Sequence, residues 1–159
     1  MSKDWLGWGV FVAVCFLAAA IGSWFTGSVK SWYPTLLKPA GTPPAWVFGP
    51  VWSTLYLLMG TAAWLVWRQR SPSEVTLALT LFFAQLALNA TWSYVFFGLR
   101  RPGLALLDVV ALLAAIIATM TSFVPLSRLE FWLMTPYVAS VSYATFLNFG
   151  IWRLNRGAP

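Results

Sequence analysis

The chain has 159 residues, of which 60% are hydrophobic, 18% aromatic and only 9% charged, with a mean hydropathy of +0.74. Soluble domains carry about 25% charged residues, so 10 basic and 4 acidic side chains, net +6, cannot coat a water-soluble particle of this size. One cysteine and no histidine exclude an internal disulfide and the ordinary zinc, haem-iron and histidine-dependent nucleophilic sites.

The apolar residues gather in five blocks, each close to the roughly 20 residues that cross a hydrocarbon core. The first, 5–25, follows Lys3. It is longer than the roughly 7–15 residues of a signal core, so it reads as a span rather than a cleaved leader. Cys15 lies inside it as a small packing residue. The loop 26–45, TGSVKSWYPTLLKPAGTPPA, has four prolines and two glycines. Loops of that length are usually functional or disordered. Trp32, Tyr33, Leu36 and Leu37 give this one something to bury, so an ordered lid over one end of a bundle is expected, with an interfacial anchor as the alternative.

Pro43-Pro44 opens the second block, 46–67, where missing amide donors cost nothing, and Pro50 falls one turn inside. The short polar connection RQRSPSE leads to the third block, 75–97, which holds Gln85 and Asn89. Asn89-Ala-Thr91 matches a glycosylation sequon, but at mid-membrane depth that match is accidental. Arg100-Arg101-Pro102-Gly103 turns into the fourth block, 104–123. Its Asp108 is the one acid within a span, expected to snorkel or to pair with Arg100 or Arg101. VPLSRLE leads to the fifth block, 131–152, with Pro136 near its start. The fold expected is all-α: a polytopic membrane protein whose residues 1–159 form a single domain of five transmembrane helices. Ala18 with Gly22, Ala19 with Ser23, Ala111 with Ala115 and Ala114 with Ala118 suggest close helix contacts.

Charge sets the expected orientation. The N-terminus and the second and fourth loops carry Lys3, Arg68, Arg70 and Arg128; the other side carries Lys30, Lys38, Arg100, Arg101, Arg153 and Arg156. The side richer in Lys and Arg faces the cytoplasm, which places the N-terminus outside and the C-terminus inside. Basic residues in scattered pairs at helix ends fit lipid headgroups and give no nucleic-acid surface.

Three blocks each carry a half-polar, half-aromatic stripe at helical spacing. The second offers Trp52, Tyr56, Met59 and Ala63; the third Gln85, Asn89, Trp92 or Ser93, and Phe96; the fifth Tyr137, Ser140 or Val141, Ala144 and Asn148. Together they would enclose a cavity for a flat, mostly apolar ligand with a few polar edges. Interhelical glue is the competing reading, and the better one for Gln85. Carboxylates on such a ligand could meet Lys30, Lys38 or Arg100.

The motifs Trp32-Tyr33-x-x-Leu36-x-Lys38-Pro39, Pro43-Pro44-x-Trp46-Val47-Phe48-x-Pro50-x-Trp52-x-x-Leu55-Tyr56-x-x-Met59-Gly60 and Gln85-Leu86-x-Leu88-Asn89-x-x-Trp92-Ser93-x-x-Phe96-Phe97-Gly98 run in order. With Pro136-Tyr137, Leu147-Asn148 and Trp152-Arg153-x-Asn155, they resemble the bacterial type of the TspO/MBR family, the tryptophan-rich sensory and translocator proteins. The resemblance covers nearly the whole chain. It implies an integral protein of the bacterial envelope, usually a homodimer, whose pocket is closed by the loop between the first two helices. It also implies porphyrin ligands such as protoporphyrin IX, or haem, with benzodiazepine-like drugs and, in eukaryotic members, sterols; no cofactor is required. Carried over, Trp52 and Asn89 match groups that hydrogen-bond a ligand carbonyl. Tyr33 and Pro43 match lid residues, and Tyr56, Trp92, Ser93 and Ala144 match lining positions.

Two departures shape the expected function. Many bacterial members read Pro-Tyr-x-x-Trp on the fifth helix, where that tryptophan is implicated with the one matching Trp52 in light-driven porphyrin breakdown; here the position is Ser140. A serine is no oxidisable indole, although it adds room and a hydroxyl to a pocket. The sterol-recognition pattern wants a tyrosine where this chain has Phe149 ahead of Arg153. The leading expectation is therefore a tetrapyrrole-binding membrane protein that senses, sequesters or moves porphyrins, with no catalytic residue and no metal site. A light-dependent degrading enzyme using Trp52 and a lipid or sterol transporter are the alternatives.

Overall fold

The computed structural model describes residues 2–69 and 72–157. Arg70, one of the charges counted for orientation, lies outside them. The described residues form five long helices and no strand: α1 (Ser2–Trp24), α2 (Ala45–Trp67), α3 (Pro72–Ser93), α4 (Pro102–Phe123) and α5 (Arg128–Leu154). A 3-10 turn, Phe25–Val29, prolongs α1; a second, Tyr33–Thr35, sits in the loop before α2; and a π-helical turn, Tyr94–Gly98, ends α3. At 1.5 Å per residue, helices of 22 to 27 residues reach about 33–40 Å, enough to cross the roughly 30 Å hydrocarbon core.

Asp4–Val29, Ser73–Gly98 and Pro102–Phe123 are long and apolar enough to cross a membrane on composition alone. α2 and α5 have the length but are not among these three. They carry the groups the bundle turns inward, including Tyr56 on α2 and Glu130, Tyr137 and Asn148 on α5, all buried. Burial against neighbouring helices, not lipid, accommodates these groups.

The helices pack as a ring in the order α1, α2, α5, α4, α3, closing back on α1. Sequence sets the closest approaches. A Cβ on Gly60 would lie 2.8 Å from Val12 Cα, so the α1 and α2 backbones nearly touch there. The Trp8 indole N–H donates to Thr61 Oγ1 at 3.1 Å along the same seam. Gly22 meets Ser93 of α3, where an added Cβ would be 3.2 Å from the hydroxyl. The alanine pairs expected to mark contacts on α4 behave differently, because Ala111 and Ala114 are exposed on its outer face.

The expected pairing of Asp108 with an arginine does not form. Among the described residues the ion pair is Arg68 with Asp4, at 3.6 Å, at the far end of the bundle. Asp108 Oδ2 is buried without a hydrogen-bond partner, as is Oε2 of Glu130, whose other oxygen accepts from Gln69 at 3.4 Å. Arg100 takes a left-handed φ of 56° in the tight turn before α4, Arg101 is the N-cap, and both are exposed.

The segment between α1 and α2 is folded back onto the bundle. Ser28 Oγ donates to the Phe97 carbonyl at 2.7 Å. Asn155, just beyond α5, accepts from the Leu37 N–H at 3.1 Å and donates to the Leu37 carbonyl at 2.9 Å. Tyr143 on α5 donates to the carbonyl of Gly41, a glycine at φ 89°. Pro39 lies against Gly150, where a Cβ would come within 2.8 Å of the proline ring. Lys38 Nζ donates to the Leu36 and Pro34 carbonyls and sits 4.8 Å from the Tyr33 ring centre.

Candidate ligand cavity

Beneath this segment lies a cavity of about 830 Å³, within the range of roughly 300–1,000 Å³ usual for small-molecule sites. α2 contributes Phe48, Gly49, Trp52, Ser53 and Tyr56, and α3 contributes Asn89, Trp92 and Ser93. The π-helical turn contributes Phe96 and Phe97, α5 Ala144, Leu147, Asn148 and Ile151, and α1 Phe16, Ala19, Gly22 and Ser23. Lys30 and Tyr33 come from the loop. Wall residues on α3, the π turn and α5 such as Asn89, Phe96 and Asn148 are buried, whereas Phe16, Ser23, Gly49 and Ser53 are exposed. The enclosure is therefore weakest on the α1–α2 side.

The π-helical turn places both Phe96 and Phe97 on the cavity wall. Trp92 stacks on Phe96 with ring centres 5.1 Å apart and planes 26° from parallel. Trp32 and Tyr33 meet Phe96 at 5.8 and 6.4 Å, so the loop and the wall share one aromatic cluster. Burial raises the Tyr33 phenol above its ordinary pKa, which keeps it a neutral donor at any working pH.

A hydrogen-bond chain closes the floor. Tyr56 donates to Asn89 Oδ1 at 2.5 Å, Asn89 Nδ2 donates to the Tyr137 hydroxyl at 3.0 Å, and Tyr137 donates to Gln85 Oε1 at 2.8 Å. It ties α2, α3 and α5 together and explains why a greasy helix carries two amides. Gln85 has the role expected of it, with its own Nε2 left unpartnered. Asn89 differs from the expectation: it faces the cavity and is an interhelical tie as well. The Trp92 indole is also engaged, donating to Asn148 Oδ1 at 3.0 Å, while Asn148 donates to the Pro102 carbonyl at 2.7 Å. Trp52 contrasts with them. Its ring packs 5.8 Å from Tyr56 and 6.1 Å from Tyr137, yet its indole N–H has no partner among the described residues.

Of the residues singled out from sequence, Tyr33, Trp52, Tyr56, Asn89, Trp92, Ser93 and Ala144 share this wall. Pro43 and Ser140 are half-buried and off it. Ser140 lies one turn deeper than Ala144, at a depth where the tyrosine–amide chain already fills the bundle. The α1 wall is not legible in the sequence, although Phe16, Ala19 and Ser23 recur at helical spacing; α1 is uniformly apolar, with no polar stripe to mark an inner face.

The TspO/MBR family model matches residues 11–153. This chain belongs to the TspO/MBR family. Its relatives include tryptophan-rich protein TspO of Chlorobaculum tepidum, 40% identical over 98% of this chain and 99% of that one. The translocator protein of Homo sapiens is 38% identical over 99% and 95%, and the tryptophan-rich sensory protein of Cereibacter sphaeroides 37% over 100% and 98%. As a TspO/MBR member with membrane-spanning helices, the protein is integral to a membrane, and the five-helix ring is a transmembrane bundle. The family's long motifs divide by physical role. Trp32-Tyr33 and Pro39 hold the loop down and Lys38 ties the loop to itself, whereas Trp52, Asn89 and Trp92 meet around the cavity.

Proposed function

We propose that this TspO/MBR protein binds a flat tetrapyrrole in the cavity, and through it senses, sequesters or moves porphyrins. The observation that carries the reading is Trp52: a cavity-facing ring with a free N–H, set in an aromatic wall of matching volume. Aromatic faces favour an offset-stacked planar ring, and the indole N–H needs an acceptor such as a carbonyl or carboxylate. The names of its relatives, a sensory protein and a translocator protein, agree with sensing and movement.

A metal-free ring suits the wall better than haem. Among the described residues no histidine, cysteine or methionine lines the cavity, and of its two tyrosines Tyr56 is already engaged with Asn89. Iron would thus find no strong axial ligand beyond Tyr33. Protoporphyrin IX is the ligand of choice for a test.

A second reading, light-driven breakdown of the porphyrin, draws on Trp52, whose ring centre lies 5.8 Å from that of Tyr56 and 6.1 Å from that of Tyr137, all three being oxidisable. Against it stands Ser140 in place of an indole. One experiment separates the two. The protein is titrated with protoporphyrin IX in the dark while tryptophan quenching is followed, and the same sample is then illuminated. Binding predicts saturable quenching and a porphyrin spectrum that bleaches no faster than a protein-free control. Breakdown predicts a new product band that vanishes in Trp52→Phe. Absence of saturable quenching by a folded protein defeats both.

A further inference from the structure

The charges around the cavity are unevenly distributed. Among the described residues no aspartate or glutamate lines it, and one cation does: Lys30, where the 3-10 turn after α1 ends. The other cations of this end are engaged or elsewhere. Lys38 donates to carbonyls of its own loop, Arg156 lies 4.3 Å from the Trp152 ring centre, and Arg100, Arg101 and Arg153 are off the wall. The Lys30 ammonium has no ion pair or hydrogen bond among the described residues.

The wall's neutral polar groups sort the same way. The amide oxygens of Asn89 and Asn148 already accept from Tyr56 and Trp92. Lys30, Tyr33, Trp52, Ser53 and Ser93 remain without side-chain hydrogen bonds among the described residues, and every one of them can donate. A cavity whose free polar groups can all donate, the Lys30 ammonium and Trp52 indole being donors only, and with no acid on its described wall, is complementary to an acceptor-rich ligand carrying negative charge at one edge.

We infer that Lys30 is a specificity-determining residue that selects ligands with a carboxylate on the edge facing the 26–45 loop. The inference rests on the tetrapyrrole reading and adds to it: the preferred ligand enters ring-first, and its acid groups stay at the mouth with Lys30. An ammonium at a partly exposed mouth sits between a surface pair and a buried charged hydrogen bond, so the preference is modest and weakens with salt.

The test compares protoporphyrin IX, which bears two carboxylates, with its uncharged dimethyl ester. Binding is measured in the dark in neutral detergent at low and high salt. Wild type is set beside Lys30→Gln, Lys30→Arg and Arg101→Gln, the last removing a cation at the same end but off the wall. The expected result is a free-acid preference of about three- to tenfold in wild type. That preference is lost in Lys30→Gln through weaker free-acid binding alone, kept in Lys30→Arg and in Arg101→Gln, and diminished by salt. Equal binding of both porphyrins by wild type overturns the role of Lys30 and leaves the tetrapyrrole reading standing. So does an equal loss in Arg101→Gln, which would mean a general surface field. If folded wild type binds neither porphyrin, the tetrapyrrole reading fails and the inference with it.

Discussion

Asn89 holds two tyrosines on two other helices, while the neighbouring Trp52 holds nothing with its N–H. That difference separates stability from binding at single residues. Asn89→Leu leaves two buried hydroxyls without their amide, and a stranded polar group costs about 1–3 kcal/mol. We expect a clear fall in thermal midpoint in detergent, with any loss of porphyrin affinity following from a disordered floor. Trp52→Phe strands no protein group. It should leave the midpoint nearly unchanged and weaken protoporphyrin IX about two- to tenfold, the worth of one neutral hydrogen bond, read by quenching of the remaining tryptophans. The reverse pattern would make Asn89 the ligand contact and Trp52 a packing residue. Sequence made these side chains legible as stripes, because the 3.6-residue period identifies a shared face. It could not show which polar group was already engaged, since Asn89 meets Tyr137 across 48 residues and Trp92 meets Asn148 across 56.

At the level of elements, the bundle is tight at one end and hollow at the other. Gly60 marks the tight part. Alanine there gains about 1 kcal/mol of helix propensity, but its Cβ would stand 2.8 Å from Val12 Cα and 3.1 Å from Val12 N. Backbone cannot rotate aside as a side chain can, and overpacking costs about 1–3 kcal/mol, so the clash wins. Gly60→Ala should lower the thermal midpoint by separating α1 from α2, whereas Gly9→Ala, with open space around it, should not. At the hollow end Asn155 is one of the loop's fastenings, holding both backbone groups of Leu37. Because Leu37 is 62% exposed, water can replace the lost bonds, and Asn155→Ala should barely change global stability. It should instead release bound porphyrin faster, by about fivefold for a loss near 1 kcal/mol, in a stopped-flow displacement experiment; an unchanged release rate would mean that the loop does not gate the cavity. That the loop would be ordered was legible in its Trp, Tyr and Leu residues. Its fastening to Asn155 was not, because that contact spans 118 residues, and neither was the π turn, for which Phe-Phe-Gly is no signal.

Viewed whole, the molecule has two chemically different ends. The antiparallel helices bring Lys30, Lys38, Arg100, Arg101, Arg153 and Arg156 to the end that bears the loop and the cavity mouth, while Asp4, Arg68, Glu74, Arg128 and Glu130 gather at the other. Composition established the membrane setting; ring order did not follow from it, because it depends on which small residues meet which helix. The cation-rich end is expected to face the cytoplasm, so the cavity would load from inside the cell or from its inner leaflet. Cys15 is fully buried, which leaves wild type as a silent background for thiol labelling. A cysteine at exposed Pro125, in the α4–α5 turn, should react with a membrane-impermeant maleimide on intact cells. One at exposed Ser31, in the loop over the cavity, should react only after permeabilisation. The opposite pattern would invert the orientation and put the cavity mouth, with Lys30, on the outer side. On the tetrapyrrole reading, a ligand taken up there would come from the surroundings, so this labelling result tells from which side of the membrane the cavity is reached.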